Sequence, residues 1–203
     1  MMVRVLSFIL LSFAFLAGCA TSAPGPHRDT SSSHPATANP TSNQFANSLR
    51  LCRTHISNAP QANQHREITP YTPFIRVKGV AVARAPVRSC LSSGFGPRRG
   101  GAGRFHKGID LYTDAPRTIV AAADGKVIQL GTQRGFGKTV LVQHKNGVQT
   151  RYAHLSSYAA GVKIGTSVRA GRKLGETGRT GNATAIHLHY EILVDGKPIN
   201  PLN

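Results

Sequence analysis

His187-Leu188-His189-Tyr190-Glu191-Ile192-Leu193-Val194 is the stretch on which the reading of the whole chain turns. Its side chains alternate with the period of a β-strand, so His187, His189 and Glu191 share one face while Leu188, Tyr190 and Ile192 share the other. The apolar face can rest on a core, and the opposite face carries two imidazoles and a carboxylate. Similar β-branched, alternating runs occupy residues 118–122, 126–130, 138–144 and 148–154, and another begins near Pro73 and covers 74–82. Asp124-Gly125, Lys145-Asn146-Gly147 and Asp195-Gly196 punctuate these runs as turns. Asn146-Gly147 marks a hairpin because both residues tolerate the positive φ that a tight β-turn imposes. These signals predict a mostly β fold, a compact and largely antiparallel β-sheet domain over residues 84–203, in which helical periodicity is nearly absent.

A chain of 203 residues has room for one such domain and a tail. The tail begins with Arg4, an apolar run from Val5 to Leu16, and then Ala17, Gly18 and Cys19, the pattern of a secretory signal whose run is too short to span a bilayer comfortably. Leu16-Ala17-Gly18-Cys19 also resembles a bacterial lipobox, which predicts removal of residues 1–18 and lipidation of Cys19. Residues 19–43 are rich in Ser, Thr and Pro with almost no large apolar side chain, and read as a disordered tether. His27 and His34 lie in it without a role. Over residues 44–83, Phe45, Leu49, Cys52 and Ile56 recur at helical spacing and predict a short packing helix. With Cys19 assigned to lipid, Cys52 and Cys90 remain as an even pair in an oxidising compartment, and a disulfide between them is expected.

Composition limits the partners. The chain carries 25 Lys+Arg against 8 Asp+Glu, a formal net charge of +17, and loses only Arg4 with the signal, leaving 24 against 8, or +16. Such a charge suits nucleic acid, anionic lipid or an anionic wall polymer. Export weighs against nucleic acid and favours the cell envelope. Ala20, rather than Asp, follows Cys19, which points to an outer-membrane anchor facing the periplasm in a two-membrane host, or to the outer face of the plasma membrane otherwise.

The chemistry lies in the histidines. His106-Lys107-Gly108-Ile109-Asp110 sets an imidazole and a carboxylate four apart, on one face if extended, and Gly108 with the following Leu111-Tyr112-Thr113 argues against a helix there. Two His and one carboxylate with a fourth position open is a catalytic zinc arrangement. Glu191 shares the face of His189, where it could orient a ligand or stand as a solvent-exposed strand carboxylate. His144 beside the hairpin, and His55 and His65 upstream, carry no such spacing.

Taken with Ser92-Ser93-Gly94-Phe95-Gly96-Pro97-Arg98, residues 121–127, Tyr152-Ala153-His154-Leu155 and residues 178–184, these motifs resemble, in order over some 110 residues, the lysostaphin/LytM-type (M23) zinc metallopeptidases of bacterial cell walls. The resemblance implies a narrow active-site groove, one Zn2+ held by His106, Asp110 and His189, and catalytic imidazoles at His154 and His187. It implies hydrolysis of peptide cross-links or bridges, with peptidoglycan stem peptides as substrate. Two features depart from the family pattern: Ala185-Ile186 replaces the usual Gly-Pro before the His-x-His pair, and Phe105 precedes His106 where some relatives have a nearby Tyr. The Gly100-Gly101-Ala102-Gly103 run suggests a flap over the groove. Two alternatives differ in class: a LytM-type activator of wall amidases, for which a regulatory protein partner is implied, and a basic peptidoglycan-binding module needing no zinc. Replacement of a ligand or of His154 would mark the activator class, and none is replaced.

Overall fold

The computed structural model describes residues 45–98 and 105–203. The expected signal peptide, the expected lipidation site Cys19, the expected tether and the expected Gly100–Gly103 flap lie outside them. In chain order the strands are β1 (Arg50–Leu51), β2 (Phe74–Val77), β3 (Val80–Ala83), β4 (Cys90–Ser93) and β5 (Gly96–Pro97). They continue as β6 (Phe105–His106), β7 (Ile109–Tyr112), β8 (Thr118–Val120), β9 (Gly125–Gln133) and β10 (Gly137–Gln143). β11 (Val148–Tyr158), β12 (Ser167–Val168), β13 (Lys173–Thr177), β14 (His187–Val194) and β15 (Lys197–Ile199) complete the set.

The main sheet follows the order β1-β4-β7-β14-β11-β10-β9-β12, with β13, β8 and β15 branching from it. Every pairing in it is antiparallel except β1 with β4. Alternation works as the sequence suggests: Leu111 opposes Leu188 and Leu91, and Tyr152 opposes Tyr190, all fully buried on the core side. The two tyrosine rings pack 5.5 Å apart. Each phenol finds a partner, the Tyr190 hydroxyl donating to the Ala83 carbonyl and the Tyr152 oxygen accepting from the Ala122 N–H, both at 2.8 Å. Burial of each such side chain contributes about 1.5–3 kcal/mol. The other face of the same strands is left to carry polar groups.

Two local expectations change. Residues 74–82 form a hairpin rather than one strand, because Lys78 (φ 45°) and Gly79 (φ 82°) adopt the paired left-handed conformations of a tight turn. The helix expected around Phe45–Ile56 is absent. Phe45, Leu49, Cys52 and Ile56 are all buried, but their backbone bonds run across the chain, from Leu51 N–H to Arg66 O, Cys52 N–H to Leu91 O and Ile68 N–H to Leu49 O. The spacing of apolar residues was real, and long-range pairing with β4 competed successfully with a helix too short to hold itself. Cys52 and Cys90 are joined by a disulfide that fixes this segment beside β4. The Asn146-Gly147 turn has positive φ at both residues, 57° and 73°.

His144 is a structural residue, 5% exposed. Its Nδ1–H donates to the Asp124 carbonyl, and Nε2 lies 2.8 Å from the Thr150 hydroxyl oxygen. Burial pushes its pKa below the usual histidine range, against the pull of the Asp124 carbonyl. The unfolded chain therefore binds a proton that the folded chain refuses, and this contribution is present above about pH 6.5 and is lost as pH falls below it. Denaturant titrations between pH 7 and pH 5 should show wild-type stability falling by up to about 1.4 kcal/mol per pH unit more steeply than in His144→Gln. Parallel curves for the two proteins would remove His144 from the account.

Candidate active site

The polar face of the sheet assembles the site. Asp110 on β7 stands directly opposite His189 on β14 and opposite Ser93 on β4, so the three side chains project together. His106 arrives from β6, held by its pairing with β5. His106 Nε2 lies 3.1 Å from both Asp110 Oδ1 and His189 Nδ1, and the last two are 3.0 Å apart. Tetrahedral zinc bonded at about 2.0–2.1 Å separates its ligands by about 3.3 Å, so this donor set fits that ion closely. Gly108 makes the approach possible: a Cβ there would sit 2.2 Å from the Tyr190 carbonyl oxygen and 3.0 Å from Glu191 Cγ.

Each donor is held from behind. His106 Nδ1–H donates to the Gly94 carbonyl at 2.7 Å, which leaves Nε2 as the free lone pair. Asp110 Oδ2 accepts from Arg98 at 2.8 Å, and Arg98 also donates to Ser93 Oγ at 3.0 Å. His189 Nε2 meets Glu191 Oε1 at 3.1 Å, while Glu191 Oε2 accepts from Arg151 at 2.8 Å. The Arg151 guanidinium lies 4.7 Å over the Phe136 ring, and that ring leans on His189 with centroids 5.6 Å apart. The cluster attracts positive charge. Burial opposes charging His189, but the Asp110 and Glu191 carboxylates on its two nitrogens outweigh it and raise its pKa to about 8. Burial likewise opposes an ionised Asp110, yet hydrogen bonds from His106 and His189 hold its carboxyl well below the usual range.

The other two imidazoles face this cluster. The rings of His154 and His187 lie 4.7 Å apart. His154 Nδ1–H donates to the Thr180 carbonyl at 2.8 Å and His187 Nδ1–H to the Ala185 carbonyl at 2.9 Å, which turns the Nε2 atom of each toward the groove. His187 Nε2 is 3.7 Å from Asp110 Oδ1. Burial and the neighbouring His187 push the His154 pKa down to about 4, so that ring is neutral at neutral pH. Strict alternation along β11 would send His154 to the core side with Thr150 and Tyr152. Its φ of 64° and the extra β11 residue between Tyr152 and Leu155 in the pairing with β10 turn it to the polar face instead.

All five residues singled out in the sequence thus meet in one groove of about 460 Å³, walled by Arg98, Phe105, Lys107, Phe136, Asn182 and Thr184. His55 and His65 are exposed and do not line it. Phe105, 49% exposed, packs edge-on against Phe95 and offers no hydroxyl to the groove. Glu191 is 1% exposed, which discards the solvent-exposed reading. Sequence reasoning missed Arg98, Arg151 and Thr180. Arg151 had a signal: a charge on the polar side of a buried strand, in register with Glu191.

Glu191 holds His189 in the tautomer that frees Nδ1. Glu191→Gln should weaken zinc binding about 10- to 100-fold, read by competition with a chromophoric chelator at a temperature far below unfolding. Unchanged affinity would reduce Glu191 to a packing role.

The family model described as Peptidase family M23 matches residues 104–201. The chain is similar to DD-carboxypeptidase/endopeptidase Mpg of Neisseria meningitidis, 40% identical over 100 residues, covering 49% of this chain and 23% of that protein. It is also similar to the murein hydrolase activator NlpD of Salmonella typhimurium, 34% identical over 124 residues, covering 61% of this chain and 31% of that protein. The chain therefore spans about a quarter to a third of these relatives. Among solved structures, the catalytic domain of lysostaphin from Staphylococcus simulans superposes with a TM-score of 0.51 and 30% identity, covering 56% of this chain and 89% of that one.

Proposed function

The chain belongs to peptidase family M23, and from that premise we propose that it is a zinc-dependent endopeptidase hydrolysing peptide cross-links or bridges in bacterial peptidoglycan. The observation that carries this reading is the complete set in one groove: three donor atoms within 3.1 Å of one another beside two imidazoles 4.7 Å apart. Zinc held by His106, Asp110 and His189 would supply Lewis acidity, polarising a peptide carbonyl and bringing the pKa of water to about 7. The residues do the rest. Arg98 fixes Asp110, and Glu191 with Arg151 fixes His189, so the donors need not reorganise during the reaction. His154 and His187, both anchored through Nδ1, present Nε2 atoms that take the proton of the attacking water, steady the developing oxyanion and protonate the departing amine.

Lipidated at Cys19, the domain would work from a membrane anchor in the envelope. Similarity to NlpD raises the activator reading, whereas the intact ligand set favours catalysis. The purified protein incubated with isolated peptidoglycan and zinc should release cross-linked muropeptides as monomers, and a chelator should stop it. Absence of release from a zinc-loaded protein, together with stimulation of a wall amidase, would establish the activator instead.

A further inference from the structure

The catalytic face of the sheet continues past His187. Tyr112, two residues on from Asp110, projects to the same side of β7. It pairs with His187 on β14 and with Cys90 on β4, about 5 Å from each between Cα atoms. Tyr112 is 38% exposed. It lines a second cavity, of about 380 Å³, with Arg88, Ser89, Asp114 and Arg117. Arg88 and Arg117 also border an adjoining hollow that contains Lys173.

The charges here do not cancel. Arg117 is paired with Asp114 and Lys173 with Glu176, both at 2.8 Å. Arg88 is exposed and has no acidic partner among the described residues. An uncommitted guanidinium beside an aromatic ring can take a carboxylate through two parallel hydrogen bonds while the ring carries the aliphatic part of the same ligand. The stem peptides of the proposed substrate carry free carboxylates on aliphatic residues. A strand of substrate crossing the metal donors and passing His187 runs onto Tyr112 next.

We propose that the Tyr112–Arg88 cavity is a substrate subsite for a free carboxylate of the stem peptide. Arg88 pairs with the carboxylate, and Tyr112 supports the chain between it and the scissile amide. This rests on the endopeptidase reading for its ligand.

The test compares a soluble cross-linked muropeptide dimer carrying free carboxyl groups with the same dimer amidated at them, using zinc-loaded protein. The unaltered protein should show a KM about tenfold lower for the acid form, and Arg88→Gln should reduce that ratio to below about twofold. Arg88→Lys, keeping the charge without the fork, should fall between. Calorimetric titration with an uncross-linked acid stem peptide, which cannot be cleaved, should show the same ranking in Kd. Equal acid-to-amide ratios in Arg88→Gln and the unaltered protein would overturn the subsite, as would displacement of the peptide by an equal concentration of inorganic phosphate. Acid-selective binding that depends on Arg88, with no cleavage of either dimer, would leave the subsite standing and sink the endopeptidase reading.

Discussion

His154→Ala should abolish muropeptide release while the protein still binds about one zinc, whereas His106→Ala, Asp110→Ala and His189→Ala should lose metal and activity together. The asymmetry follows from geometry. His154 contributes no atom to the three-donor cluster, and its Nδ1 is occupied by the Thr180 carbonyl. What the alanine removes is a neutral Nε2 in the groove, and loss of such a proton-transfer group costs about 10²- to 10⁴-fold in rate. Losing Asp110 removes a ligand and also leaves Arg98, 25% exposed at its side chain, without its carboxylate. Metal content by mass spectrometry and turnover on isolated walls check both halves. Equal metal loss in all four variants would reassign His154 as a ligand.

Replacing Cys52 and Cys90 together by serine should destabilise the domain by about 4 kcal/mol and lower Tm by about 10 °C. The bridge spans 38 residues of sequence, and the unfolded chain gains the entropy of that loop when it is opened. The native contacts it guards are few: β1 has two residues, and its parallel register with β4 is short. Scanning calorimetry of the double variant, and of the wild type with reductant, should agree. A Tm within about 2 °C of wild type would mean that the buried Phe45, Leu49 and Ile56 hold the segment without covalent help.

Much of the fold was legible because period-two alternation is a local property. The strand over 187–194 and its division into an apolar and a polar face needed nothing beyond neighbouring residues. Asp195 and Gly196, with φ of 50° and 76°, close the β14–β15 hairpin as their residue types imply. The N-terminal segment was not legible, because helical spacing of Phe45, Leu49, Cys52 and Ile56 is also what an irregular strap yields when a distant strand supplies its hydrogen bonds. The five site residues were found by their types and by resemblance. The groups that hold them were harder: Arg98 lies 12 residues from the Asp110 it fixes, and Arg151 lies 40 from Glu191, separations that only the sheet register closes.

His154 occupies a left-handed backbone position, φ 64°, which few side chains other than asparagine, aspartate and histidine adopt readily. Histidine to asparagine or to aspartate is a single-nucleotide change, and both residues tolerate that conformation. A lineage of this gene could therefore lose the proposed hydrolysis in one step without sacrificing the strand that carries His154. On the proposed function, inactive descendants that keep the sheet and the groove should be recognisable by asparagine or aspartate at this one position.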